Sequence, residues 1–148
     1  MTAVKLRPYA SADAEAAIEL WRRTWQRTYP QIDFTARIEW WRQRWRDELV
    51  PRASIVVAEN DGIIVGFVTV EPATGYLDQI VVAPEYWGTN LAATLLAEAR
   101  RISPERIELR VNQDNARAIG FYRKHGFVLA GDDVSLSGRP LHRMTWRP

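Results

Sequence analysis

The spacing of apolar residues predicts two amphipathic helices in the first third of the chain. Apolar positions recur every three or four residues from Ile18 to Tyr29 and again from Ile38 to Leu49, which is the period of one face of a helix. Pro30 and Pro51 follow these two stripes, and a proline interrupts helical hydrogen bonding. We therefore expect two consecutive helices that each bury a tryptophan-rich face.

Runs rich in valine and isoleucine predict the strands. Asn60, Asp61 and Gly62 separate two of these runs, and an Asp-Gly pair at such a position is typical of a β-hairpin. The hairpin covers residues 53–72. The other predicted strands lie within residues 4–9, 75–84, 105–112, 127–136 and 139–146. Two further helices are predicted near residues 89–101 and 114–126. The resulting order, β-α-α-β-β-β-α-β-α-β-β, predicts an α/β fold, a single three-layer domain over residues 1–148 with a mixed central β-sheet and helices on both faces.

Composition narrows the possible functions. The 148 residues include no cysteine, which excludes disulfides, thiolate zinc sites and cysteine nucleophiles. The net charge is +2, with positive and negative residues interleaved, so charge gives little support for nucleic-acid binding. The first residues lack the charged start and apolar run of a signal peptide, and no run approaches about 18 apolar residues. We expect a cytoplasmic protein with no membrane segment.

The stretch VAPEYWGTNLAATLLAEARR, residues 82–101, predicts a loop that leads from a strand into a helix. The N-terminus of a helix presents unpaired backbone N–H groups and a partial positive charge, so it binds anions. Small residues also let a phosphate approach the backbone closely. The stretch fits an ordinary turn capped by Thr89 equally well. The N–H groups available to an anion would come from Gly88, Thr89, Asn90, Leu91, Ala92 and Ala93.

A second stretch, VNQDNARAIGFYRKHGF at residues 111–127, predicts a short helix closed by Gly126. Asn115 and Tyr122 are seven positions apart, about two helical turns, so they lie on one face. An amide and a phenol on one face suit a ligand with peptide-like and acidic parts. By itself the stretch also fits a helix capped by Asn115 with Tyr122 as a half-buried aromatic residue.

Together the two stretches resemble the GNAT superfamily of N-acetyltransferases. VAPEYWGTNLA stands where that family has a strand, a proline and an Arg/Gln-x-x-Gly-x-Gly/Ala loop. NARAIGFYRKHGF matches the family pattern Asn-x-x-Ala-x-x-Phe-Tyr-x-x-x-Gly-Phe. The predicted order of elements is also the family's, so the resemblance covers nearly the whole chain.

The resemblance implies acetyl-CoA bound between two splayed parallel strands that end near Val82 and Val111. It implies transfer of the acetyl group to a primary amine of a small molecule or peptide, by direct attack in a ternary complex. Strand backbone would pair with the pantetheine arm, the loop would hold the pyrophosphate, and Tyr122 would protonate the leaving thiolate. The residues implied in cofactor binding are Ile80, Val81, Val82, Trp87, Gly88, Thr89, Asn90, Leu91, Ala92, Ala93, Asn115 and Tyr122.

A general base must also remove a proton from the acceptor ammonium, directly or through water. Side chains alternate along a strand, so Tyr76, Asp78 and Ile80 are expected to share a face. Asp78 is our candidate for this catalytic base. A solvated or salt-bridged aspartate is the alternative at this position.

The loop departs from the family pattern at two positions. Trp87 stands in place of Arg or Gln, and Asn90 stands in place of Gly. If the glycine serves a positive φ, asparagine is the next best residue because it tolerates the left-handed region. We expect Asn90 in that region or in the first helical turn. If the glycine instead makes room for the pyrophosphate, the protein would be a CoA-binding domain with little or no catalysis.

Five of the seven tryptophans lie between residues 21 and 45, interleaved with arginines. This segment fits an acceptor rim for a carboxylate or aromatic substrate, a nucleic-acid-binding module, or a tryptophan core covered by a solvated arginine face. The acidic residues in the same segment disfavour nucleic acid. His125 and His142 have no ligand-like spacing, so we expect no metal site. No nucleophile-elbow pattern is present. The sequence leaves a homodimer open.

Overall fold

The structure of the protein is a computed structural model that describes residues 4–148. The domain predicted over residues 1–148 therefore includes three residues that lie outside the described part. The strands are β1 (Lys5–Pro8), β2 (Ser54–Asn60), β3 (Ile63–Val70), β4 (Leu77–Val82), β5 (Ile107–Asn112), β6 (Val128–Val134) and β7 (Pro140–Trp146). The helices are α1 (Ala14–Thr28), α2 (Ile38–Arg44), α3 (Val50–Arg52), α4 (Leu91–Ile102) and α5 (Ala116–Lys124).

The order of elements follows the predicted order, with one addition after the second helix. Helix α2 continues through a π-helical turn at Trp45–Leu49 into the three residues of α3. The sequence predicted that Pro51 would end the second helix. This prediction was wrong, because Pro51 lies within α3. The helical run ends one residue later, at Arg52.

The strands form two antiparallel sheets. One has the order β1-β2-β3-β4 and the other the order β5-β7-β6. Strands β4 and β5 are parallel neighbours that join only near their beginnings, where a bridge links Tyr76 to Glu108 and the Glu108 N–H donates to the Gly75 carbonyl at 3.0 Å. Beyond this point the two strands belong to different sheets, so a cleft opens between their carboxyl ends.

Helices cover both faces of the first sheet. The side of β3 at Gly66 faces α4, since a Cβ at that glycine would lie 3.1 Å from Leu95 Cδ1. The next residue, Phe67, points the other way and meets Trp45 edge to face, with 5.2 Å between ring centroids. This alternation produces the predicted three layers, and the α/β fold class is confirmed.

The β2–β3 hairpin has the turn that its sequence predicts. Asp61 has φ 51° and Gly62 has φ 79°, so both central residues are in the left-handed region that a type I′ turn requires.

The tryptophan-rich segment lies mostly in the core. Trp21, Trp41 and Trp45 are at most 4% exposed, and Trp21 stacks on Trp41 with 4.5 Å between ring centroids. Trp40 is the exception at 52% exposed. Arginines of the same segment form ion pairs with carboxylates, and the pairs are Arg22–Glu19, Arg23–Glu85, Arg42–Glu15, Arg42–Glu39, Arg44–Asp78 and Arg46–Asp47.

Residues 4–148 contain neither a membrane-spanning helix nor a cluster of metal-binding side chains. No helix in this part of the chain is long and apolar enough to cross a bilayer. Over the same residues, no group of three or more metal-binding side chains comes together.

Candidate active site

Strand β4 presents a row of backbone groups to the cleft. The Ala83 N–H donates to the Val65 carbonyl of β3 at 2.9 Å. Backbone groups alternate in direction along an antiparallel strand, so Val81 also bonds to β3, opposite Phe67. The backbone groups of Ile80 and Val82 therefore point toward β5. Amide groups of a bound ligand can pair with this free edge.

This geometry corrects one predicted cofactor residue. Ile80 and Val82 present their backbone to the cleft as expected, but Val81 does not. Its N–H and carbonyl serve the β3–β4 ladder, and its side chain is buried in the core.

The loop before α4 has a cluster of free backbone donors. Two predicted donors are used locally: the Thr89 N–H donates to the Tyr86 carbonyl at 3.3 Å, and the Leu91 N–H donates to Thr89 Oγ1 at 3.3 Å. The free donors, which find no acceptor among residues 4–148, are the N–H groups of Gly88, Asn90, Ala92 and Ala93. At the N-terminus of a 12-residue helix, such a cluster suits an anion.

Asn90 does not occupy the left-handed region. Its φ is −81° and its ψ is 0°, and it is the residue that directly precedes α4. Its carbonyl accepts from the N–H and the hydroxyl of Thr94, both at 2.9 Å. The positive φ of the loop belongs to Gly88, at +80°. The prediction of a left-handed Asn90 was wrong, and the alternative placement at the start of the helix is the one observed.

Trp87 ties the loop to both walls of the cleft. Its indole Nε1 donates to the Val82 carbonyl at the end of β4, at 2.8 Å. The guanidinium of Arg117, in the first turn of α5, lies 3.7 Å from the centroid of the indole ring. Arg117 was not among the predicted site residues, because it stands at a variable position of the family pattern.

Helix α5 begins at Asn115 as the capping interpretation predicts. Asn115 Oδ1 accepts from the Ala118 N–H at 3.2 Å. The capping bond uses the amide oxygen and leaves the amide NH₂ for other contacts. The contact between Asn115 and a cofactor stays a prediction.

Tyr122 combines a packed ring with a free hydroxyl. Its ring lies 5.4 Å from the rings of both Phe121 and Phe127, and the residue is half-buried. Within residues 4–148 its hydroxyl makes no hydrogen bond. Burial raises the pKa of Tyr122, and the neighbouring Tyr76 raises it further. The phenol therefore keeps its proton at neutral pH, which is the state that a general acid needs.

Asp78 lies in a two-pronged ion pair. Arg44 donates to its two oxygens at 2.8 and 2.5 Å, and the Asp78 side chain is only 10% exposed. The hydrogen bond that Arg44 donates to Asp78 is the largest cause of the raised pKa of Arg44. This is the salt-bridged aspartate that the sequence left open as the alternative to a base.

A bulge in β4 overturns the expected alternation around Asp78. Thr69 pairs with Gln79 and Val70 pairs with Leu77, so Asp78 is an extra residue. In such a bulge two successive side chains lie on one side. Gln79 Nε2 accordingly donates to Asp78 Oδ2 at 3.2 Å. The prediction that Ile80 shares a face with Asp78 was wrong.

The far side of the cleft mouth is held together by a second carboxylate. Asp114 accepts from the Tyr29 hydroxyl and from Arg139, each at 2.8 Å. Arg139 also lies 4.3 Å from the centroid of the Tyr29 ring. Burial, followed by the bond to Asp114, raises the pKa of Tyr29 to about 12. These contacts tie the end of α1 to the β5–α5 loop and the β6–β7 hairpin.

The model of the acetyltransferase (GNAT) family matches residues 14–127, more than half of the chain. The chain belongs to the GNAT acetyltransferase family. For a GNAT protein, the free edge of β4 and the donor cluster before α4 fit a CoA-based acyl donor.

Two curated proteins show how far this similarity reaches. An uncharacterised N-acetyltransferase of Mycobacterium tuberculosis is 39% identical over 88 residues, covering 55% of this chain and 56% of that protein. This chain thus matches about half the length of that relative. YjaB of Salmonella typhimurium, named as a peptidyl-lysine N-acetyltransferase, is 28% identical over 140 residues, covering 93% of this chain and 92% of that protein.

A solved structure agrees with the fold over the whole chain. The PaiA N-acetyltransferase of Thermoplasma acidophilum, crystallised in complex with coenzyme A, has a TM-score of 0.79 at 24% identity and covers 99% of each chain. At this level of identity the likeness establishes a shared GNAT fold.

Proposed function

We propose that the protein transfers an acetyl group from acetyl-CoA to a primary amine of a small molecule or peptide. One observation carries this proposal: the cleft between β4 and β5 brings together three unused sets of groups. These are the backbone edge formed by Ile80 and the Val82 N–H, the donor cluster before α4, and the hydroxyl of Tyr122.

The residues present fit acetyl-CoA. The pantetheine arm is amide-like and matches a strand edge that lacks a partner, in the manner of an added strand. The pyrophosphate is an anion and matches the N–H groups at the start of α4. Gly88 leaves its side open, because nothing lies within 4 Å of the point where a Cβ would be. When bound, acetyl-CoA supplies an acetyl group activated as a thioester.

Tyr122 is proposed as the general acid. The amine nitrogen forms a bond to the acetyl carbon while the carbon–sulfur bond breaks, and the phenol gives its proton to the departing sulfur. The phenol carries this proton at neutral pH, and the burial that raises the pKa of Tyr122 also makes it a weaker donor. A general acid in this position typically contributes about 10²–10⁴-fold to the rate.

Asp78 remains the proposed proton acceptor for the substrate ammonium. Its position is fixed by Arg44, which donates to both carboxylate oxygens. Oδ2 accepts from both Arg44 and Gln79, whereas Oδ1 accepts from Arg44 alone and has a second lone pair for an ammonium or a water.

The conformation of Asn90 bears on the alternative of a CoA-binding domain without catalysis. A residue with φ −81° needs no glycine. The backbone conformation at Asn90 therefore gives no reason to expect weak CoA binding by the loop. The Asn90 side chain still occupies space that a glycine would leave open, and a measured Kd for CoA tests whether it obstructs the pyrophosphate.

The test is an acceptor screen that measures CoA thiol released from acetyl-CoA. The panel contains lysine peptides, free polyamines and amino sugars, and YjaB as a relative places lysine peptides first. We expect thiol release that depends on one class of amine, with the acetylated amine found by mass spectrometry. Binding of acetyl-CoA with no turnover across the panel would favour the binding-domain alternative.

A further inference from the structure

Arg117 and Trp87 form a contact that spans the phosphate end of the cleft. Trp87 belongs to the wall formed by β4 and its loop, and Arg117 belongs to the wall formed by α5. The guanidinium carbon lies 3.7 Å from the indole centroid, which is the distance of a face-to-face stack. The indole itself is fixed by the bond from Nε1 to the Val82 carbonyl at 2.8 Å.

Arg117 differs from most arginines that surround the site. Arg23, Arg44, Arg110 and Arg139 each have a carboxylate partner at 2.8 Å or less. No ion pair among residues 4–148 includes Arg117. Stacking occupies the face of a guanidinium and leaves its in-plane N–H groups free. Arg117 is thus a cation whose donors have no acidic partner in the described chain.

The position of this cation is set by its stacking partner. Trp87 directly precedes Gly88, the first of the free donors before α4. The guanidinium is thus stacked on the side chain of the residue that immediately precedes the donor cluster.

We propose that Arg117 binds the pyrophosphate of the CoA donor, oriented by the indole of Trp87. The inference rests on the proposed function, because it assumes that this cleft takes acetyl-CoA. It accounts for the departure at position 87: the loop lacks the Arg or Gln of the family pattern there, and a cation from α5 stacks on the tryptophan that stands in its place. Arg117 acts as a binding residue and takes no part in the chemistry.

The experiment compares CoA with dephospho-CoA by isothermal titration calorimetry. Dephospho-CoA lacks the 3′-phosphate and keeps the pyrophosphate. Arg117→Ala should weaken the binding of both ligands by the same factor, about tenfold to a hundredfold, as expected for loss of a charge-assisted hydrogen bond. Arg117→Lys should be intermediate, since lysine keeps the charge but not the planar fork. Trp87→Leu should weaken both ligands by a smaller factor.

Arg123→Ala is the matched control, because Arg123 is an exposed arginine on the same helix. It should leave both affinities unchanged, and the variants at Arg117 and Arg123 should remain folded without ligand, as circular dichroism would show. If Arg117→Ala binds both ligands like the parent, or loses affinity for CoA alone, the assignment to the pyrophosphate is overturned. If the parent itself binds neither ligand, the proposed function fails first, which is a separate result.

Discussion

At the scale of single residues, Tyr122 separates binding from chemistry. Tyr122→Phe removes the hydroxyl and keeps the ring packing against Phe121 and Phe127. We expect turnover to fall by about 10²–10⁴-fold, while the Kd for acetyl-CoA changes by less than about tenfold. Such a pattern marks an interaction made mainly in the transition state. Steady-state kinetics and calorimetry on the same preparation provide the two numbers.

Two other results for Tyr122→Phe would contradict the acid role. Turnover at the parent rate would make Tyr122 a packed aromatic residue only. Loss of acetyl-CoA binding together with turnover would make the hydroxyl a cofactor contact.

The positive φ that was expected at Asn90 is found at Gly88. Gly88→Ala forces a side chain into a φ of +80°, which costs about 1–2 kcal/mol and shifts a free N–H of the loop. Asn90→Ala meets no such strain at φ −81°. We expect weaker CoA binding for Gly88→Ala and a change within about threefold for Asn90→Ala, since the Asn90 side chain makes no capping bond.

Gly120→Ala is the matched control for the glycine variant. Gly120 lies inside α5, and no atom lies within 4 Å of a Cβ built on it. An alanine there should raise the free energy of unfolding by about 0.5–1 kcal/mol. Urea denaturation would then give opposite signs at the two glycines. Equal effects would show that Gly88 has no special backbone role.

At the scale of elements, the bulge in β4 sets the geometry around Asp78. It turns Asp78 and Gln79 to the same face, where Arg44 of α2 meets the carboxylate. Strand β4 is therefore joined to the helical layer by an ion pair as well as by packing. The splay between β4 and β5 begins at the same end of β4, next to the Tyr76–Glu108 bridge.

Asp78→Asn tests whether this carboxylate is a base, a structural partner or both. Loss of the ion pair should lower the free energy of unfolding by about 2 kcal/mol, less than for a fully buried pair, because Arg44 is 26% exposed and keeps Glu48 at 3.2 Å. If Asp78 is the base, turnover of the variant should rise with pH, as the free fraction of the acceptor amine increases.

Arg44→Gln is the control for this experiment. It breaks the same ion pair and leaves the carboxylate, so it should lower stability without steepening the pH profile. A parent-like profile in Asp78→Asn, with only stability reduced, would remove Asp78 from the mechanism.

At the scale of the whole molecule, acetyl-CoA should stabilise the fold by mass action. A ligand at a hundred times its Kd adds about 2.7 kcal/mol to the free energy of unfolding, which for a chain of this length raises Tm by about 5–10 °C. Differential scanning fluorimetry with millimolar acetyl-CoA measures this shift. Desulfo-CoA serves as a control that keeps the phosphates and the arm. An unchanged Tm at millimolar ligand would count against the cofactor. A homodimer and the single-domain boundaries stay predictions.

The sequence by itself determined the elements and the family. Helix faces, the Asp61–Gly62 turn and the cap at Asn115 depend on residues a few positions apart, so local spacing encodes them. The stretch from Asn115 to Phe127 indicated the family for the same reason. Its motif lies on one helix and the cap of that helix, so it is local in sequence.

Only the tertiary structure decided the contacts that build the site. Arg44 and Asp78 are 34 positions apart, and Tyr29 and Asp114 are 85 apart. The stack of Arg117 on Trp87 likewise joins two walls of the cleft. Such pairs meet only after the sheets have twisted apart and the bulge has shifted the register of β4. The φ of Asn90 was likewise decided by the tertiary structure, because the loop geometry places the positive φ at Gly88 and starts α4 three residues later.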